Sequence, residues 1–69
     1  MFLRDIMTPR ERCIFEYLIN GCTTKEIAYF LGISDKTVRN HISNVIQKLG
    51  VSDKTGAIIE LLKLKELSL

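Results

Sequence analysis

Eight polar residues recur on a helical spacing in the middle of the chain: Lys36, Thr37, Arg39, Asn40, Ser43, Asn44, Gln47 and Lys48. Between them Val38, Ile42, Val45, Ile46 and Leu49 trace an apolar stripe, which predicts one amphipathic helix over 35–49. Its polar face carries a guanidinium, amides, hydroxyls and ammonium groups. Those are the groups that bond phosphate oxygens and the edges of nucleic-acid bases. Arg39, Asn40 and Ser43 lie together at i, i+1 and i+4, pointing away from the stripe. Arginine pairs bidentately with guanine and asparagine with adenine, so Arg39 and Asn40 are the candidate base readers. Ser43 reaches either a base or a phosphate.

Phosphate contacts belong near helix N-termini, where free N–H groups and the helix dipole favour anions. Thr24, Lys25, Ser34, Lys36 and Thr37 surround two such ends. Helix capping competes with phosphate binding at Thr24 and Ser34. Lys48 either tracks a phosphate backbone or neutralises the last carbonyls of its own helix. His41 reads as a half-buried side chain that bonds locally.

Catalytic chemistry is poorly served. His41 and Ser43 do not share a helix face, no acid is placed to orient the histidine, and the chain is short for a pocket. Cys13 and Cys22 have neither a CxxC spacing nor a second ligand pair, and His41 is the only histidine. No enzyme activity, metal or cofactor is expected.

The polar helix needs a scaffold, and the flanking sequence supplies one. Thr8-Pro9-Arg10-Glu11 is a capping box with proline at the first helical position, followed by the core positions Ile14, Phe15 and Leu18. Asn20-Gly21 ends that helix. Thr23-Thr24-Lys25-Glu26 is a second capping box, leading into a short helix whose buried side is Ile27, Ala28 and Leu31. Gly32 allows a sharp turn, Ile33 plugs the core from that turn, and Ser34 caps the polar helix, which Gly50 ends. Ser52 or Asp53 caps a fourth helix. The expected architecture is all-α: a lead-in over 1–7, then one domain over 8–67 with helices at about 9–20, 24–31, 35–49 and 54–66. A helix, a three-residue turn and a polar-faced second helix make the sequence form of a helix-turn-helix that reads double-stranded DNA in the major groove.

Bulk properties agree with that architecture. At 69 residues and 46% apolar content there is room for one small core, marginal enough that self-association would help it. A net charge of +2 is compatible with nucleic acid without requiring it. No apolar run approaches a membrane span, and the N-terminus lacks the pattern of a signal peptide, so a cytoplasmic protein with no membrane partner is expected. Met1 stands close to the first capping box, which reads as the start of an intact short protein.

The run Thr24-Lys25-Glu26-Ile27-Ala28, Ile33-Ser34, Lys36 through Asn44, and Gln47-Lys48-Leu49-Gly50-Val51 resembles the LuxR-type (GerE-like) helix-turn-helix signature. Thr8-Pro9-Arg10-Glu11-Arg12 also fits that family's opening, so the likeness covers about residues 7 to 67. The ending, Ala57 through Leu69, is most similar to members that consist of this domain alone and regulate sporulation genes. The resemblance implies a transcription regulator that binds DNA as a dimer, with base contacts at Arg39, Asn40, Ser43 and Lys36. RNA polymerase, or another regulator, is a further candidate partner for such a module. Tyr29, Phe30 and Gly32 depart from the family's pattern. Tyr29 falls on the outer face of its helix, where it meets solvent, a phosphate or another protein.

The fourth helix carries more apolar surface than one small core needs. Ala57, Ile58, Leu61, Leu62 and Leu64 cover a broad arc, which Ile59 and Leu67 widen. A homodimer through that helix is therefore expected, with Ile58, Leu61, Leu62 and Leu64 at the interface.

Overall fold

The computed structural model describes residues 6–67 and shows four helices: α1 (Pro9–Ile19), α2 (Thr24–Leu31), α3 (Asp35–Leu49) and α4 (Lys54–Lys63). Each begins where a side chain satisfies its first free N–H groups. Thr8 and Thr23 form complete capping boxes with Glu11 and Glu26, Ser34 accepts from the Thr37 amide, and Asp53 accepts from the Gly56 amide. Gly32 and Gly50 close α2 and α3 in the left-handed conformation, at φ of 67° and 70°. A side chain at either position would be strained, which is why glycine stands there.

Helix α3 is the centre of the fold, and α1, α2 and α4 all pack against it. Its stripe of Val38, Ile42 and Val45 is buried against Ile14, Phe15, Ile27, Ala28, Ala57 and Leu61. Ile33 packs on this core from the α2–α3 turn, as do Ile46, Leu49 and Leu31 from partly exposed positions. Cys13 and Cys22 are free, half-buried thiols. Among the described residues no helix is long and apolar enough to cross a membrane.

The C-terminal end departs from the expected course. Helix α4 stops at Lys63 rather than Glu66, because Lys65 takes a left-handed φ of 62° and folds the chain back. The Glu66 and Leu67 amides then both bond to the Leu61 carbonyl. The return brings Glu66 to α1, where the Arg12 guanidinium donates to both its carbonyl and its carboxylate, the latter at 2.7 Å. Leu67 is thereby buried at 5% exposure.

The return also leaves the inner side of α4 well defined. Leu61, expected at a dimer interface, is wholly buried in the core of the single chain, so that assignment is corrected. Its neighbour Ala57 lies inside with it, while Ile58 and Leu62 are half-buried against the same core and Leu64 is half-exposed. Ile59 is the large apolar side chain of α4 that faces outward, at 48% exposure.

Candidate nucleic-acid interface

Because α3 buries Val38, Ile42 and Val45, its 100° turn per residue directs the intervening positions outward. Lys36, Arg39, Asn40, Ser43, Asn44 and Gln47 are all exposed. Arg39, Asn40 and Ser43 share that outer face, one turn of helix apart. Lys36, Asn40, Ser43, Asn44 and Gln47 make no side-chain hydrogen bond or ion pair with any other described residue. Among the described residues their donors and acceptors are thus unsatisfied and open to an outside partner.

Arg39 is held by one weak internal contact that sequence reasoning did not anticipate. Its guanidinium lies 3.4 Å from Asp35 Oδ2, one turn earlier on α3, with the arginine side chain 59% exposed. An exposed i,i+4 pair of this kind contributes a few tenths of a kcal/mol, roughly 0.3–0.5, so a ligand displaces it easily. The other Asp35 oxygen is buried without a hydrogen-bond partner and sits at the positive N-terminal end of the helix.

At the turn between α2 and α3, Ser34 and Thr37 come together with their hydroxyls 2.9 Å apart, and Ser34 Oγ also accepts from the Thr37 amide at 3.1 Å. Both hydroxyls are therefore engaged in capping α3. At the start of α2 the cap is Thr23 rather than Thr24; Thr24 is half-buried and Lys25 exposed with no partner among the described residues. His41 is half-buried on α3.

Lys48 is placed differently from the sequence expectation. Its ammonium donates to Glu11 Oε1 at 2.6 Å and to the Ile6 carbonyl at 3.0 Å. It joins the C-terminal end of α3 to the N-terminal cap of α1, and this bond occupies the group expected to meet phosphate. Glu11 is 3% exposed, and the same carboxylate accepts from the Thr8 amide at 2.9 Å. Burial alone pushes its carboxyl up. The Lys48 hydrogen bond, the Thr8 amide, the Lys48 charge and the Thr8 hydroxyl outweigh burial and hold it below the ordinary 4.5.

The pair therefore has a signature in acid. A carboxylate depressed in the folded state adds stability above its ordinary value, and that stability is lost as pH falls through the folded value. Lys48→Met removes the Lys48 contacts that offset the burial of Glu11, leaving only those of Thr8, and should cost about 1–3 kcal/mol near neutral pH. The gap from wild type should shrink as pH falls below 4.5 and Glu11 takes up a proton. Urea unfolding of both proteins near neutral pH and in acid checks this; an equal gap at both would contradict it.

Comparison with known proteins agrees with the geometry. The family described as bacterial regulatory proteins, luxR family, matches residues 5–61. The spore germination protein GerE of Bacillus subtilis (strain 168) is 56% identical over 66 residues, covering 96% of this chain and 89% of that protein. A solved structure of the transcription factor GerE superposes with a TM-score of 0.89 at 59% identity, over 93% of this chain and 96% of that one. Longer regulators match with their relevant quarter only: the transcriptional regulatory protein DegU of Brevibacillus brevis is 41% identical over 84% of this chain and 25% of its own length. Four helices, a helix-turn-helix at their centre and these relatives lead to one assignment: the chain belongs to the luxR family of bacterial regulatory proteins and is a helix-turn-helix transcription regulator, not an enzyme.

Proposed function

We propose that this regulator binds double-stranded DNA sequence-specifically, laying α3 in the major groove, and that it acts as a homodimer in the cytoplasm. The observation that carries the reading is the outer face of α3, where the side chains of Lys36, Asn40, Ser43, Asn44 and Gln47 have no partner among the described residues and Arg39 has only the loose Asp35 contact. Arg39 and Asn40 read bases, Ser43 and Lys36 assist them, and Lys25 and Thr24 meet the phosphate backbone beside the start of α2. Ser34 and Thr37 present the N-terminal end of α3 to a phosphate while capping it. The likeness to a spore germination protein supports a role in the control of spore genes. RNA polymerase is the natural protein partner of such a regulator at a promoter.

The dimer rests on α4. Ile59 faces outward, and Ile58, Leu62 and Leu64 flank it with part of their surface open. A two-fold pair through these residues would set two copies of α3 against half-sites about one helical turn, roughly 34 Å, apart.

Lysines test the electrostatic part. Lys25→Ala or Lys36→Ala should weaken binding to selected and random duplexes alike and make the dependence on salt shallower by about one unit, since each phosphate contact releases a counterion. Fluorescence polarisation over a salt series measures it. A variant that loses affinity for a single base pair only would move that lysine among the base readers.

A further inference from the structure

Away from α3, the largest apolar exposure lies where α1 and α2 meet. Tyr29 is 83% exposed and Phe30 is 54% exposed. Phe30 stacks on Tyr17 of α1, with ring centres 5.4 Å apart and planes 22° from parallel. Tyr29 meets Phe30 edge-on at 5.9 Å and 68°. Both tyrosines of the chain and one of its three phenylalanines thus form a single ladder of rings at the surface. Beyond Tyr17 the ladder opens into a groove of about 210 Å³ lined by Cys13, Glu16 and Tyr17 of α1 and by Asn20, which caps its C-terminal end.

The core does not account for this arrangement, since Tyr29 has most of its surface in solvent. Contiguous exposed aromatic surface is a liability for a small soluble domain unless something covers it. Aromatic side chains also dominate the binding energy where proteins dock. Charge then narrows the occupant. The Glu16 carboxylate lies in the groove and makes no hydrogen bond or ion pair among the described residues. Glu26, one turn before Phe30 on α2, is exposed as well. The Glu16 carboxylate in the groove repels a phosphate backbone, while the Glu26 carboxylate turns back to the Thr23 amide. A guanidinium or ammonium on an apolar stem suits both features, lying over a ring face while its charge meets Glu16.

We propose that the Tyr17–Phe30–Tyr29 ladder and Glu16 form a docking surface for a protein segment presenting an arginine or lysine within an apolar stretch, engaged while α3 holds DNA. The proposal rests on the DNA-binding reading above. Its test separates the two. The intact chain and its variants Tyr29→Ala, Phe30→Lys, Glu16→Gln and Glu16→Lys are assayed on a duplex selected by the wild type, and on a bacterial reporter that carries this duplex and responds to the wild type. Circular dichroism confirms folding, and Tyr29→Ala and Glu16→Gln alter groups on which the core does not depend. Wild type failing to bind any duplex would defeat the DNA reading itself. With that secured, the variants should bind the duplex within about twofold of wild type, as surface changes away from the contacts do. Regulation should fall by about tenfold or more for Phe30→Lys and Glu16→Lys, and less for Glu16→Gln, as expected at an aromatic-and-charge anchor. Suppressors of Glu16→Lys should replace a lysine or arginine of the partner by an acidic residue. Undiminished regulation would overturn the proposal. So would a loss of DNA affinity that tracks the loss of regulation, which would make the surface a nucleic-acid contact. A change in sedimentation would instead assign it to a second copy of the chain. Normal function of Glu16→Lys beside a failing Phe30→Lys would overturn the basic chemistry of the partner.

Discussion

Leu61→Ala should unfold most of the protein, whereas Ile59→Glu should leave the fold intact and separate the proposed dimer. Leu61 is wholly buried among α3 and α4 side chains, and Ile59, two residues earlier, is 48% exposed. Truncating a buried leucine removes its transfer free energy and leaves a cavity, at about 2–5 kcal/mol. A core of this size supplies on the order of 3–5 kcal/mol in total, so the loss rivals the whole stability. Thermal melting by circular dichroism should show Leu61→Ala losing most of its cooperative transition. Ile59→Glu should melt close to wild type but sediment as a monomer at tens of micromolar, roughly the range where a marginal interface dissociates. A well-folded Leu61→Ala would contradict the core described above. An unchanged dimer in Ile59→Glu would remove α4 from the interface.

Arg39→Ala carries the second large effect. Arg39 is exposed, and its only described bond is the loose pair with Asp35, so stability should change by less than about 0.5 kcal/mol. A bidentate contact to guanine is worth about 1–3 kcal/mol of discrimination, which is roughly a 5- to 150-fold loss in preference for the selected duplex over random DNA. Non-specific affinity should fall much less, by the single positive charge removed. The ratio of the two affinities at one salt concentration is the quantity to measure. An unaltered ratio would place the base readers elsewhere on α3.

The features legible in the sequence are the local ones. Thr8 with Glu11, and Thr23 with Glu26, lie three residues apart, so their capping boxes follow from spacing alone. Gly32 and Gly50 likewise mark their own turns. The polar face of α3 was equally legible, because burying Val38, Ile42 and Val45 determines which residues point outward. Apart from the local Asp35–Arg39 pair, what escaped depends on contacts distant in sequence or on unmarked backbone. The Lys48–Glu11 bond joins residues 37 positions apart, and no pattern in either helix announces it. Lys65 takes a left-handed turn that glycine or asparagine usually signals, so the apolar periodicity of α4 ran on to Glu66. On a helix as apolar as α4, the wheel gives a broad arc without showing which part of it faces inward. That is why Leu61 was placed at the surface. The stacking of Phe30 on Tyr17 required the crossing of α1 and α2, which only the fold supplies.

In the proposed complex α3 reads base edges in the major groove. Guanine N7 lies in that groove, and a methyl group placed on it blocks an arginine fork. The direct measurement is methylation interference on a duplex selected by wild type from a random pool. Wild type should be excluded from duplexes methylated at one guanine in each half-site, the two lying about one helical turn apart, and Arg39→Ala should be indifferent to the same methyl groups. Binding by wild type that ignores N7 methylation throughout the selected site, or a pool from which no sequence is enriched, would contradict the account.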